Sequence, residues 1–317
     1  MRVLVTGADG FAGRYLVRSL VAGGHRVTAA VRPGGEPASR WLTRSEAEQV
    51  TEAELQLESA ESGAALVSQP HDAVVHLAAV ASGAEARQDP GHAWVVNAAG
   101  TARLLEGLGQ RRVAGTADPL VLLVSTGEVY GAGSGRPRLE TDAVLPVSPY
   151  AASKAGAEVA AAEVARRTGL RVIVARAFQH TGPGQAPIYV VPALARRLAE
   201  ARASGANRVP VGNLAPVRDI SDVRDVVAAY IALLARGVPG AVYNVCRGEG
   251  LSLAELFRKL SAIIGVDAEP ETDPALTRRA DIVHLVGDNS RLRADTGWAP
   301  ALSLDQTLRD VVDAQAH

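Results

Sequence analysis

Cysteine occurs once in the 317 residues, at Cys246, and lysine only twice, at Lys154 and Lys259. A single cysteine excludes an intrachain disulfide and suits a reducing cytosol. The longest fully apolar run, 226–235, is about half a membrane span, so no transmembrane helix is expected. Positive charge is not in excess, with 33 Lys plus Arg against 34 Asp plus Glu. So balanced a chain has no surplus cation with which to neutralise phosphates, which argues against nucleic acid as a partner. No targeting segment precedes the apolar run that begins at Val3, and a cytoplasmic location is expected. What remains is an ordinary globular composition, 47% apolar and 21% charged, long enough for two domains or one large α/β domain. An Arg- and Ala-rich chain that keeps lysine at only two places poses a chemical question at both.

The first half alternates short β-branched runs, at 3–5, 26–31, 73–77, 120–124 and 170–175, with longer helical patterns. Such strands read as βαβ units, and right-handed crossovers then give an α/β fold with a doubly wound parallel sheet. The segment 34–62 is polar and carries little pattern. Further on, 208–211 and 241–245 read as strands, and 222–235 as a helix capped by Asp222 and ended before Gly237. Ser252 with Glu255, and Ser303 with Gln306, have the spacing of capping boxes. A Pro/Gly-rich stretch, 182–192, marks the exit from the sheet domain.

Directly after the first strand comes Thr6-Gly7-Ala8-Asp9-Gly10-Phe11-Ala12-Gly13. Glycine at such a turn allows a tight bend, close approach of backbone to a pyrophosphate, and packing of the helix on the strand. The helix N-terminus then offers free N–H groups to phosphates. In an NAD site an acidic residue about 20 residues further on would bond the ribose hydroxyls. Here the second strand ends Ala29-Ala30-Val31-Arg32. Arg32, with Arg14 as a second candidate, fits the 2′-phosphate of NADP(H) instead.

Ser148-Pro149 opens a helix that places Tyr150 and Lys154 one turn apart on one face. A cation at that distance stabilises a phenolate and lowers a tyrosine pKa from about 10. The strand end Ser125-Thr126-Gly127-Glu128-Val129-Tyr130-Gly131 lies where open α/β sheets carry their sites. A hydroxyl there would bond the substrate oxygen that Tyr150 protonates.

Together these motifs resemble the extended short-chain dehydrogenases/reductases that act on nucleotide-diphosphate sugars. The likeness runs from the glycine loop through His76-Leu77-Ala78-Ala79, Asn97-Ala98-Ala99-Gly100-Thr101 and Tyr150-x-x-x-Lys154. It continues through Arg176-Ala177-Phe178-Gln179, Gly212-Asn213-Leu214 with Arg218-Asp219, and Gly297-Trp298. The Gly-Asn-Leu segment is most similar to the GDP-mannose branch of dehydratases and 4-keto-6-deoxymannose reductases. The resemblance implies a Rossmann-type sheet domain, 1–177 plus 212–247, and a smaller sugar-nucleotide domain, 178–211 plus 248–317. It implies Thr126, Tyr150 and Lys154 as a catalytic triad, with Glu128 matching the dehydratases' base. Gly7, Gly10, Phe11, Gly13, Arg32, Glu58, Leu77, Ala78 and Ala79 would hold the cofactor beside Tyr150 and Lys154. Gln179, Asn213, Arg218 and Arg278 would hold the substrate, and no metal is expected. Two departures stand out. Gln179 replaces the usual asparagine, and Gly127 stands where dehydratases carry a hydroxyl or carboxyl.

The expected activity is NADPH-dependent reduction of the C4 ketone of an NDP-4-keto-6-deoxyhexose. The alternatives are a GDP-mannose 4,6-dehydratase or an epimerase using the same triad. A redox-sensing protein without activity would be expected to lack Tyr150 or Lys154. A homodimer is expected, because alanines cover nearly the whole circumference of the helix from Tyr150; the resemblance implies a pairing of two helices from each subunit, the second supplied by 97–108.

Overall fold

Seven short strands form one sheet: β1 (Arg2–Thr6), β2 (Arg26–Val31), β3 (Val50–Glu54), β4 (Ala73–His76), β5 (Leu120–Thr126), β6 (Arg171–Ala177) and β7 (Val242–Val245). The computed structural model describes residues 1–132, 135–276 and 282–315. The strand order is β7-β6-β5-β4-β1-β2-β3, and every pair is parallel. Alternate residues of a strand face opposite ways. Val3, Val5, Leu122 and Ile173 therefore pack with the Phe11–Ala22 and Val223–Arg236 helices. Leu4, Val74, Val121 and Leu123 pack on the other face, with the Thr101–Val113 and Pro149–Thr168 helices. The strand order reverses between β1 and β4, the position at whose carboxyl ends open α/β sheets bind their ligands.

β3 lies inside the segment that showed no pattern. It reads Val-Thr-Glu-Ala-Glu, every residue at least partly exposed, as befits a sheet edge kept polar against unwanted pairing. The same segment holds the Arg44–Ala47 helix, and the Ala60–Val67 helix follows β3.

The helix ends follow their caps. Ser148 Oγ accepts from Ala151 N at 3.1 Å, Asp222 Oδ1 from Arg224 N at 2.8 Å, and Ser252 with Glu255 closes a reciprocal box. Ser303 forms only half of the expected box. Its Oγ accepts from Gln306 N at 3.2 Å, but the Gln306 amide turns away to Asp310 Oδ1 at 2.7 Å.

Beyond β6, a small sheet joins Gln179–Thr181, Val217–Asp222, Gly250–Ser252 and His284–Leu285. The Val190–Ser204, Leu253–Ile264 and Leu304–Gln315 helices bury Leu198, Leu256, Leu260 and Leu308 in a separate apolar cluster. Among the described residues no helix is long and apolar enough to cross a membrane.

Candidate active site

The glycine loop sits at the strand reversal, pressed against the end of β4. Gly7 has φ +68°, and a Cβ there would lie 2.9 Å from Ala78 N. A Cβ on Gly13 would lie 2.2 Å from Gly7 O, so the helix rests directly on the loop. That helix has Gly10 as N-cap, without a side-chain cap, and no acid in its first turn. Its first amides are thus left for an anion. Phe11 opens the helix with its ring stacked on His180 at 6.1 Å. Leu77 N donates to Thr6 O at 3.2 Å, and Leu77, Ala78 and Ala79 all keep partial exposure here.

Below the loop, proton positions follow from the bonds. Thr101 Oγ1 donates to Asn97 O at 2.6 Å, so it accepts from His76 Nε2 at 3.0 Å. His76 Nδ1 is then bare and accepts from Thr6 Oγ1 at 2.7 Å, while Thr6 Oγ1 accepts from Ala78 N at 3.1 Å. Burial, with Lys154 adding to it, drives His76 down to about 3, so it stays neutral and fastens the end of β4.

Thr126 ends β5, and Glu128 follows in a single 3₁₀ turn whose Glu128 N donates to Thr126 Oγ1 at 3.2 Å. Tyr150 and Lys154 lie in the first turns of the Pro149–Thr168 helix, and the phenol, Thr126 and Glu128 interact. Lys154 is 3% exposed, and among the described residues no hydrogen bond or ion pair reaches its ammonium. Burial lowers it to about 8, partly offset by Glu158. Tyr150 is pushed above its ordinary value by burial and then by Glu128, with a Thr126 hydrogen bond pulling the other way. The Tyr–Lys spacing led to the opposite expectation. The reason is that burial disfavours both charged forms, and the lysine loses its proton before the phenol does.

Asn97 is a site residue that the motif reading passed over. It is fully buried, in a π-helical turn at Val95–Gly100. Its Oδ1 accepts from Val80 N at 2.7 Å, and its Nδ2 donates to Val80 O at 3.1 Å and Ser153 Oγ at 2.9 Å. Ser153 Oγ in turn donates to Tyr150 O at 2.8 Å. One amide thereby ties the loop after β4 to the helix of Tyr150 and Lys154. The signal was the 97–101 motif itself, but a contact joining residues 80, 97 and 153 has no local spacing to betray it.

The remaining candidates are placed less evenly. Arg32 is exposed just past β2. Arg14 is engaged, with Nε donating to Asp9 O at 2.8 Å and Nη2 paired with Glu36. Glu58 lies past β3, its carboxylate 3.9 Å from His92 Nε2. Gln179 stands at the start of the small sheet with its Oε1 buried and unpartnered among the described residues. Asn213 is exposed and accepts from Ala215 N at 3.0 Å in a turn. Arg218, expected to meet a diphosphate, is buried and donates through Nη1 to the carbonyls of Val217 and Ile282 at 2.9 and 2.5 Å. Arg278 lies outside the described residues. At Gly127 a Cβ would fall 2.9 Å from the ring of Phe178, which is itself 2% exposed. Among the described residues no group of three or more His, Cys, Asp or Glu could hold a metal ion.

This arrangement fits a dinucleotide. The loop lets backbone approach closely, the helix amides are uncapped, and the ammonium of a largely buried lysine has no partner among the described residues.

The family profile of GDP-mannose 4,6 dehydratase matches residues 4–311. The GDP-6-deoxy-D-mannose reductase of Pseudomonas aeruginosa is 38% identical over 244 residues, 76% of this chain and 79% of that protein. The UDP-glucose 4-epimerase of Mycolicibacterium smegmatis is 30% identical over 99% of this chain and 98% of its own. The solved structure of RMD from Pseudomonas aeruginosa complexed with NADPH superposes with a TM-score of 0.80 at 34% identity, covering 99% of this chain and 98% of that one. The chain belongs to the GDP-mannose 4,6 dehydratase family, one of the extended short-chain dehydrogenases/reductases, as its motifs imply.

Proposed function

We propose that the protein is a reductase that uses NADPH to reduce the C4 ketone of an NDP-4-keto-6-deoxyhexose, a GDP-4-keto-6-deoxymannose in the first instance. The observation that carries this reading is Gly127. The ring of Phe178 fills the space a side chain there would need, so the position offers no acid to expel a C6 hydroxyl. The likeness to the Pseudomonas reductase and to an NADPH-bound structure supports it.

When bound, the dinucleotide supplies the hydride. Lys154 holds the ribose hydroxyls and later stabilises the phenolate. Thr126 orients the ketone oxygen, and Tyr150 protonates it as the alkoxide forms. The raised pKa of Tyr150 keeps the phenol protonated at neutral pH, as a donor requires. Gln179 Oε1 accepts from a sugar hydroxyl, which gives that buried oxygen a partner. The dinucleotide occupies 1–177 plus 212–247 and the sugar nucleotide 178–211 plus 248–317. The separate apolar cluster of the later helices supports a second unit, and because it takes in Ile220, the small-sheet strand Val217–Asp222 goes with that unit rather than with the dinucleotide part.

A second reading, the dehydratase, is favoured by Glu128 beside Tyr150. A dehydratase needs that carboxylate to take the C5 proton, whereas a reductase needs only hydride and the tyrosine's proton. Glu128→Gln is therefore expected to retain reduction within about tenfold, since the amide fills the same space. A loss beyond about a thousandfold would assign the carboxylate to the chemistry.

Arg32 decides the cofactor. With no carboxylate at the end of β2, Arg32→Asp is expected to weaken NADPH by about 10–100-fold and to improve NADH relative to it. Fluorescence titration of both dinucleotides measures this, and equal affinities in the parent protein would refute it.

The protein is proposed to be a homodimer. Val159, 69% exposed, and Trp94 and Val95, 46% and 41%, project from neighbouring helices that also present alanines. Light scattering at micromolar concentration should give the mass of two chains, and a clean monomer would rule this out.

A further inference from the structure

Glu158 lies one turn behind the site and has no part in the chemistry above. Tyr150, Lys154 and Glu158 follow at four-residue intervals along one face of the Pro149–Thr168 helix. The Glu158 side chain, 11% exposed, is held by a fork from Arg176 on β6, with Nη2–Oε2 at 2.7 Å and Nε–Oε1 at 3.1 Å. Its Oε1 also accepts from Ser125 Oγ at 2.5 Å, and Ser125 is the neighbour of Thr126. The Arg176 guanidinium lies 4.8 Å over the ring of Tyr130, whose hydroxyl donates to Asn244 Oδ1 at 2.7 Å. One carboxylate therefore links the helix below Lys154 to the strand end that carries Thr126.

We propose that Glu158 is a positioning residue for the Tyr150–Lys154 pair, holding their helix against the end of β5 and setting the charge of Lys154 through a carboxylate that Arg176 balances. The proposal rests on the assignment of Lys154 to the site, but on no particular substrate. The groups around the pair are few. Tyr150 and Glu158 share its helix, and neutral His76 closes β4. Glu128 and Tyr130 lie in the turn after β5, Arg176 on β6, Tyr189 at the start of the Val190–Ser204 helix, and Tyr230 on the Val223–Arg236 helix. Of these, Glu158 acts on the ammonium against the effect of burial. Removing the carboxylate withdraws that support and leaves Arg176 unbalanced, so Lys154 loses its proton more readily. Removing the guanidinium leaves the carboxylate unbalanced and has the opposite effect. Loss of packing alone would not produce shifts of opposite sign from the two halves of one ion pair.

The scarcity of lysine makes the test direct. Protein labelled with ¹³Cε-lysine has only two such signals, from Lys154 and from Lys259, which is paired with Asp305 at 2.7 Å on the surface and serves as an internal reference. In the unliganded protein Lys154 should titrate near 8. Its midpoint should fall by about one pH unit in Glu158→Gln, rise by about one in Arg176→Gln, and return close to the parent value in the double variant. Lys259 should not move. An unmoved midpoint in Glu158→Gln, or shifts of the same sign in both single variants, would overturn the proposal. Should the charge variants fail to fold, Ser125→Ala leaves both charges in place. It is expected to lower kcat about fivefold with KM nearly unchanged, and parent kcat would be equally damaging. Because the titration uses no sugar, an error in the substrate assignment leaves its outcome intact.

Discussion

Tyr150→Phe is expected to lower kcat for 4-keto-sugar reduction by roughly a thousandfold while NADPH affinity stays within about twofold. The change removes one oxygen and keeps the ring. Tyr150 is held in the first turn of a helix whose start is fixed by Ser148 Oγ on Ala151 N, and neither that cap nor the Ser153 bond to Tyr150 O involves the phenol. The variant should therefore fold and bind cofactor, and lack only its proton donor. Burial and Glu128 both favour the neutral phenol, so the parent enzyme carries the donor form throughout the neutral range. Steady-state kinetics with fluorescence titration of NADPH separates the two effects. Parent turnover in the variant would move the proton donor to another group.

Lys154→Ala is expected to damage both quantities, lowering kcat by about 10²–10⁴ and weakening NADPH by about 10–100-fold. The Lys154 side chain is largely buried and its ammonium has no hydrogen-bond partner among the described residues, so a bound group that accepts from it gains a charge-assisted bond. Ribose hydroxyls accepting from Nζ provide that partner, so their loss should appear in the cofactor Kd. The pH profile carries a sign as well. With Lys154 lowered to about 8, its charge is present below that value and lost above it. Reduction by the parent enzyme should therefore decline on the alkaline side, and cofactor affinity should weaken over the same range. A Lys154→Ala variant that bound NADPH as tightly as the parent would place the ribose elsewhere.

Much of this site was legible because its determinants are local. The glycine triplet, the Ser148 cap and the four-residue spacing of Tyr150 and Lys154 act within one or two turns of chain; the loop lies against the end of β4, and Tyr150 meets Thr126 and Glu128 at the end of β5. β3 escaped notice because an edge strand is kept polar, so its residues carry no apolar period. Asn97 was visible as a motif but not as a clamp, since its partners at 80 and 153 are set by tertiary packing. The reason for glycine at 127 required the ring of Phe178, which arrives from β6's far end. Arg218 is buried and its Nη1 donates to the carbonyls of Val217 and Ile282, bonds that its motif does not disclose. The expectation that Lys154 lowers Tyr150 treated both groups as exposed, and in the folded chain burial dominates each.

The reductase assignment meets its most direct test in cofactor stoichiometry. Purified protein is incubated with GDP-4-keto-6-deoxymannose and NADPH, and in parallel with GDP-mannose, while absorbance of the reduced nicotinamide and the sugar products are followed together. One NADPH oxidised for each keto sugar reduced, with GDP-mannose left unchanged, is the predicted result. Conversion of GDP-mannose to its 4-keto-6-deoxy product with no net change in cofactor, and no NADPH consumed by the keto sugar, would contradict it.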